Sequence, residues 1–305
     1  MNIIRTRPCV AGLFACLLSS LFASVARAAE PVELQLHRPC RAGEFFHRST
    51  EVNETVDIVG RTPGQADVDQ THRVGVKLDA VVKVLDVDPA GRPIAEALTI
   101  RKAELSMDGG AYAQVLEPGR VIIAKRVAGV TIFRAQQGGL TPEANLALRY
   151  AVRYPAQGAP TADQDFNPGK PVEPGATWPA HVESLARTLA TQDIIALPGA
   201  LDAHARLVEN TRLDGRPASK IATAVETKNF TIRGDGMPET RDTAMTLDSL
   251  ITLPADPTVR ASDQRVKSEI SFTIPRPDGA TIEQHVKVTV DVKIRPLPAA
   301  RDSVK

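Results

Sequence analysis

Apolar and polar residues alternate almost without exception near the C-terminal end of the chain. In "TIEQHVKVTVDVKIRPL", Ile282, Val286, Val288, Val290, Val292 and Ile294 fall on one side. Glu283, His285, Lys287, Thr289, Asp291, Lys293 and Arg295 fall on the other, and Gln284 is the one polar residue on the apolar side. A period of two built from β-branched residues predicts a half-buried antiparallel strand. Upstream, "QRVKSEISFTI" repeats the pattern through Val266, Ile270, Phe272 and Ile274, and Pro275-Arg276-Pro277-Asp278-Gly279 between the two runs is a turn-forming string. The pair predicts a long hairpin with one dry face.

Looser alternation predicts further strands over Phe45–Val59, Val74–Val87, Ile94–Met107, Arg120–Arg126, His204–Thr211, Ala218–Ile232 and Ala244–Leu253. Helical signal is sparse. Thr141–Tyr154 has a capping Thr141, Pro142 suited to the first turn, and Glu143 at the positive end of the dipole. Ala180–Ala190 places Val182, Leu185, Ala186 and Leu189 on one face.

Two landmarks recur. Gly-Arg-Pro stands at Gly91–Pro93 and again at Gly215–Pro217, 124 residues on, each time between two strand-like runs. "RAGEFF" and "EPGATW" share a glycine followed three residues later by an aromatic, Gly43 with Phe46 and Gly175 with Trp178, at an offset of 132. The same landmarks in the same order predict two copies of one β-rich unit. The alternative is chance recurrence of turn residues in a β protein with 20 Gly and 23 Pro. The expected fold is mainly β: two related antiparallel units of curved sheet, sandwich or half-barrel like, with one or two short helices at their junction.

The N-terminus changes the compartment. Arg5 and Arg7 precede an apolar run from Val10 to Val25, and Ala26-Arg27-Ala28 offers a small-residue cleavage site, so residues 1–28 read as a secretory signal peptide. Leu13-Phe14-Ala15-Cys16 offers a competing reading as a lipoprotein attached through Cys16, although the apolar run continues past that cysteine. The run is short for a membrane span and no second one follows, so the expected mature chain has no transmembrane segment and is periplasmic or secreted. It keeps one cysteine, Cys40, which cannot form an intramolecular disulfide and reads as a packed thiol. With 34 basic against 36 acidic side chains from Ala29 onward, it has no general electrostatic reason to bind nucleic acid.

The expected organisation is therefore a signal peptide at 1–28, an N-terminal unit at 29–155 and a Pro- and Gly-rich linker at 156–174. A C-terminal unit follows at 175–297, with a polar tail at 298–305. "PVEPGATWP" at the junction, with "DGRPASKIA" and "RAGEFF…VKVLDVDPAGRP", resembles an uncharacterised family of exported bacterial β-rich proteins. That family carries Pro-Val-x-x-Gly-Asp-x-Trp between two halves. Pro171, Val172, Gly175 and Trp178 match it, whereas Ala176 stands where the family has Asp. The resemblance implies no established activity.

Motifs for common chemistries are missing: Gly-x-Ser-x-Gly, His-Glu-x-x-His, Cys-x-x-Cys, Ser-x-x-Lys and phosphate-cradling glycine loops. The six histidines are far apart in sequence, and no motif calls for a cofactor or a metal. Asp86–Gly91 has the start of a calcium loop but lacks its later ligands, so a hairpin turn explains it better. Paired carboxylates of a glycosidase remain open with 36 acidic residues, against a scarcity of sugar-stacking aromatics: one Trp and three Tyr. The same scarcity argues against an outer-membrane barrel, which needs aromatic girdles.

Trp178, the single tryptophan, is read as a plug between the halves whose N–H needs a partner, or alternatively as a residue lining a ligand pocket. The leading functional expectation is a non-catalytic envelope protein that binds a small apolar or amphipathic, lipid-like ligand, or acts as a scaffold for an envelope partner. The concave apolar face of a curved sheet and the junction near Trp178 are the places to look. The alternative is an interaction or structural module without a pocket, and after it a hydrolase. A cavity of at least ~300 Å³ would separate the first two.

Overall fold

The structure is a computed structural model that describes residues 30–233 and 239–297. The expected signal peptide, the alternative anchor Cys16 and the tail 298–305 lie outside the described residues. The first half contains β1 (Phe45–Arg61), β2 (Val68–Val87), β3 (Pro93–Met107), β4 (Ala113–Gln114), β5 (Val121–Val127) and β6 (Val130–Ala135). The junction holds α1 (Pro142–Ala151), α2 (Ala162–Phe166), β7 (Thr177–Pro179) and α3 (Val182–Ala190). There follow β8 (Ile194–Ile195), β9 (Leu201–Leu213), β10 (Arg216–Lys228), β11 (Thr231–Ile232), β12 (Arg241–Pro254), β13 (Ser262–Pro275) and β14 (Thr281–Pro296).

Twelve strands make one antiparallel sheet in the order β6-β5-β3-β2-β1-β14-β13-β12-β10-β9-β7, with β4 on β3; β8 and β11 form a separate pair. The large sheet is not closed into a barrel. The two expected units share it, because β1 pairs with β14 along its length, from Phe46 opposite Pro296 to Arg61 opposite Thr281. The centre of the sheet is thus formed by the strands farthest apart in sequence.

Directly opposed residues in an antiparallel ladder point to the same face. One row runs Leu105, Val76, Val52, Val290, Val266, Ser249, Thr223, Ala205, Trp178 from one side of the sheet to the other. This face carries the helices. Ala144 and Leu148 of α1 pack with Phe46, Leu78, Leu98 and Ile122, while Leu185 and Leu189 of α3 pack with Leu201, Ala203, Val225 and Met245. Between these two caps, Val286, Val288, Val290, Val292, Val266 and Leu247 are only half-buried. The alternation predicts a dry face for the β13–β14 hairpin; the face stays partly exposed because α1 borders it only at Val288 and Val290 and the α3 cluster reaches it only at Ile270. The opposite face is polar, with pairs such as Arg265–Asp291 at 2.7 Å.

Sequence-based boundaries agree to within three residues for most of the long strands, while β2 begins at Val68, six residues before the expected Val74. The run Ala218–Ile232 instead divides into β10 and β11, since Asn229 takes a positive φ of 56° and leaves the ladder. α1 begins as its cap predicts, with Thr141 accepting from the Ala144 N–H. Helix α2 lies within the segment read as linker, opened by a capping box of Thr161 and Gln164.

The recurring landmarks have matching backbone geometry. Gly43 and Gly175 both have φ of +89°. The Gly43 N–H donates to Val84 O at 2.8 Å and the Gly175 N–H to Leu207 O at 2.6 Å, and the return bonds run from Val84 N–H to Glu44 O and from Leu207 N–H to Ala176 O. Two residues before each acceptor, Val82 faces Phe46 and Ala205 faces Trp178. Both Gly-Arg-Pro turns close the next hairpin, β2–β3 and β9–β10.

Residues 32–40 form a strap across the helix-bearing face. Val32 and Val172 exchange backbone hydrogen bonds at 2.8 and 3.0 Å. Leu34 and Leu36 are buried with Trp178, Leu207, Ile221 and Leu253. The Leu36 and His37 N–H groups donate to the Asp163 carboxylate at 2.7 and 3.2 Å. At its far end the Cys40 N–H donates to Gly91 O at 2.7 Å. A segment from the start of the first half is thereby built into the core of the second.

Candidate functional site

Where the strap, the end of α1 and the 155–162 connection meet over β1 and β14, they enclose a cavity of about 420 Å³. Its apolar lining comes from Phe46, Val292 and Ile294 on the strands and from Ala151, Val152 and Pro155 above them. Its charged lining is unbalanced. Arg38, Arg48, Arg92, Arg153 and Arg260 face it with a single carboxylate, Glu96.

Four of these five arginines, Arg38, Arg48, Arg92 and Arg260, are anchored by buried or half-buried partners. Arg48 lies on the same side of β1 as Phe46 and reaches the fully buried Glu96 in a two-pronged pair, Nη1 to Oε2 at 2.9 Å and Nη2 to Oε1 at 2.8 Å. Burial opposes the charge on Arg48, but Glu96 more than offsets it and raises the guanidinium above its ordinary range. The Tyr154 hydroxyl donates to Glu96 Oε2 at 3.0 Å, and burial with the Glu96 charge pushes that phenol well up. Arg92 is held by Asp88, Nε to Oδ2 at 2.8 Å, and donates from Nη1 to the Ala159 and Pro160 carbonyls. The Asp86–Gly91 turn therefore positions a side chain that ties down the connection.

Arg260 donates to the carbonyls of Arg38 and Pro39 at 2.8 and 2.6 Å and meets Glu44 at 3.3 Å. Arg38 donates from Nη2 to Pro254 O at 2.7 Å. Buried Arg38 Nε and Nη1, Arg260 Nε and Thr50 Oγ1 have no hydrogen-bond partner among the described residues. Burial lowers the Arg38 pKa, Asp163 acts against this, and the neighbouring Arg260 charge lowers it further. Two like charges are thus held together at one end of the cavity. Cys40 also lines it, buried, with its thiol pushed up by that burial.

Trp178 is buried at 8 % exposure, and its indole N–H donates to Phe166 O at 2.6 Å. It is not among the residues lining this cavity. The histidines stay apart: His47 meets Asp79 at 2.8 Å, His37 meets Ala90 O at 2.6 Å, and His181 meets Asn167 O at 3.0 Å. No group of three or more His, Cys, Asp or Glu side chains gathers among the described residues. A second hollow of about 550 Å³ lies on the opposite face, where His204, Arg206, Asp248 and Lys267 border it. These are exposed side chains of mixed sign, without the buried anchoring of the first cavity.

Sequence reasoning did not single out Arg38, Arg48, Glu96 or Arg260. For two of them a signal existed. Arg48 is in phase with Phe46, Thr50 and Val52, and Glu96 with Leu98 and Ile100, so each puts a charge on a strand's apolar side. Arg38 and Arg260 lie in irregular chain, where no period marks them.

No family model and no curated protein matches the chain. Among solved structures it is similar to lipovitellin, from a study of lipid–protein interactions, at 8% identity and a TM-score of 0.27; the match covers 87% of this chain but only 27% of that one. A LolA superfamily protein from Nitrosomonas europaea matches at 12% identity and TM-score 0.14, over 85% of this chain and 90% of the other. OpdQ of Pseudomonas aeruginosa matches at 6% and 0.17, over 85% and 100%. All three scores lie far below that of a shared fold. No helix of the described residues is long and apolar enough to cross a membrane.

Proposed function

We propose that this chain is a non-catalytic ligand-binding protein of the cell envelope, which takes a small amphipathic molecule into the cavity between strap, α1 and β14. The observation that carries the reading is that cavity. At about 420 Å³ it falls in the range of ~300–1,000 Å³ typical of ligand sites. Its apolar strand residues Phe46, Val292 and Ile294 beside a charged rim of arginines suit a molecule with one apolar and one polar part. The envelope location rests on the signal peptide expected at residues 1–28.

Native mass spectrometry of protein exported to and purified from a bacterial periplasm tests both parts. A mass starting at Ala29 with an adduct of small-amphiphile size is the expected result. A bare chain that also stays bare after incubation with a panel of amphiphiles would end the ligand-binding reading and favour an interaction module. A diacylglyceryl mass on a chain beginning at Cys16 would replace cleavage after Ala28 by lipid anchoring.

A further inference from the structure

The charge imbalance of the cavity goes beyond its being a cavity. Arg48 and Arg92 are each neutralised by a carboxylate within hydrogen-bond distance, Glu96 and Asp88. Arg38 has no ion pair among the described residues, and Arg260 has one of 3.3 Å with Glu44 that leaves Nε unpartnered. Buried donors without acceptors are uncommon in folded proteins, and two like charges held together on half-buried side chains repel one another. Asp163 and Asp256 act on Arg38 only through space, so its buried Nε and Nη1 groups are donors that an added oxygen anion could meet.

The apolar side of the same cavity leads out of it. Val292 and Ile294 line the floor, and along β14 the same face continues through Val290, Val288 and Val286. Val266 lies beside Val290 on β13. Val288 and Val290 pack in one cluster with Ala147, Tyr150 and Ala151 of α1, yet all these valines stay half-buried, so an apolar track starts at the cationic end and runs along the middle of the sheet beside α1.

We infer that the site is selective for a single-chain amphiphile with an anionic head, the head lying at the Arg38–Arg260 end and the alkyl chain along the Val292–Val286 track. This rests on the ligand-binding reading above and specifies its substrate class. A carboxylate and a phosphate monoester share the required chemistry, an oxygen anion that can accept from guanidinium N–H groups. An uncharged head of equal length would fill the track but leave the arginine pair without its counter-ion.

Isothermal titration calorimetry of the purified exported protein with palmitate, hexadecyl phosphate, hexadecanol and inorganic phosphate, each below its aggregation concentration, tests the inference. Palmitate or hexadecyl phosphate binds at least about tenfold more tightly than hexadecanol, a difference near 1.4 kcal/mol. Only the anionic ligands weaken between low and high salt. Which of the two anions binds more tightly identifies the head. Arg38→Gln and Arg260→Gln each lower anion affinity about tenfold, and lower hexadecanol affinity by clearly less. Both arginines also hold backbone carbonyls, so the salt and neutral-head comparisons on the unaltered protein decide the matter if a variant fails to fold.

Equal affinity for hexadecanol and palmitate without salt dependence would overturn the anion inference and leave the amphiphile pocket standing. Inorganic phosphate binding as tightly as hexadecyl phosphate would overturn the assignment of the track. Failure of all four probes to bind would remove the ligand-binding reading as well.

Discussion

Arg48 and Glu96, on strands β1 and β3 with β2 between them, meet in a two-pronged ion pair of 2.9 and 2.8 Å, with Glu96 fully buried beneath the candidate cavity. Removing one partner strands the other. Glu96→Ala is expected to destabilise the fold by about 3–5 kcal/mol, because Arg48 is left charged and Tyr154 keeps only its longer bond, to Ala124 O. Replacing both by apolar residues of similar size, as in Arg48→Met with Glu96→Leu, is expected to restore most of that loss. Urea denaturation of the single and double variants measures it, and a double variant as weak as Glu96→Ala would show that the pair is more than mutually compensated charge.

The two Gly-Arg-Pro turns are alike in sequence and differ in surroundings. Gly91 has φ of +75°, and a Cβ there would come within 2.5 Å of the Pro39 side chain. Gly215 has φ of +79° in open space. Gly215→Ala is expected to cost about 1 kcal/mol from backbone conformation alone. Gly91→Ala is expected to cost more, about 2–3 kcal/mol, since the strap must also move. It should also increase proteolysis within residues 32–40. Equal midpoints in urea would show that the strap does not bear on the turn.

Two buried carboxylates respond to pH in opposite directions. Burial works against the charge of Asp88, but side-chain and backbone hydrogen bonds from Arg92 outweigh it and hold the group below its ordinary 3.8. Its stabilising contribution is present above that value and is lost as pH falls through the lower folded pKa. Burial raises Asp165 above 3.8, with hydroxyl hydrogen bonds opposing, so its contribution is complete below 3.8 and is lost as pH rises through the folded pKa. At neutral pH, Asp88→Asn is therefore expected to lower the melting temperature and Asp165→Asn to raise or preserve it. Both differences should shrink as the pH falls below 3.8, which melting curves between pH 3 and pH 7 would reveal. Differences that persist unchanged in acid would exclude charge as their cause.

Trp178 reports on the whole sheet. Its buried indole should give blue-shifted fluorescence in the folded protein, from a site in the second half. Because β1 and β14 pair along their length and the strap crosses between halves, the fluorescence and far-ultraviolet circular dichroism transitions are expected to coincide in urea. Two separate transitions would show that the halves unfold as independent units despite the shared sheet.

Much of the architecture was legible before any tertiary contact was known. Period-two alternation marks a strand because successive side chains leave a pleated backbone on opposite faces, and that rule located the long strands and the β13–β14 hairpin. Thr141 identified the start of α1 because a capping oxygen acts within one turn. Recurring glycine, aromatic and Gly-Arg-Pro landmarks pointed to geometry that does recur at Gly43 and Gly175. The Thr161–Gln164 capping pattern was the one local mark of α2, too short to stand out within a Pro- and Gly-rich segment, and the strap has no period at all.

The site belonged to tertiary structure. Arg38 and Arg260 are 222 residues apart and meet only because the strap folds over the β12–β13 end of the sheet. The dry face that alternation predicts for β14 is half-open for the same kind of reason. A strand's own sequence sets which side chains share a face, but whether that face is covered depends on where the helices of distant segments come to rest.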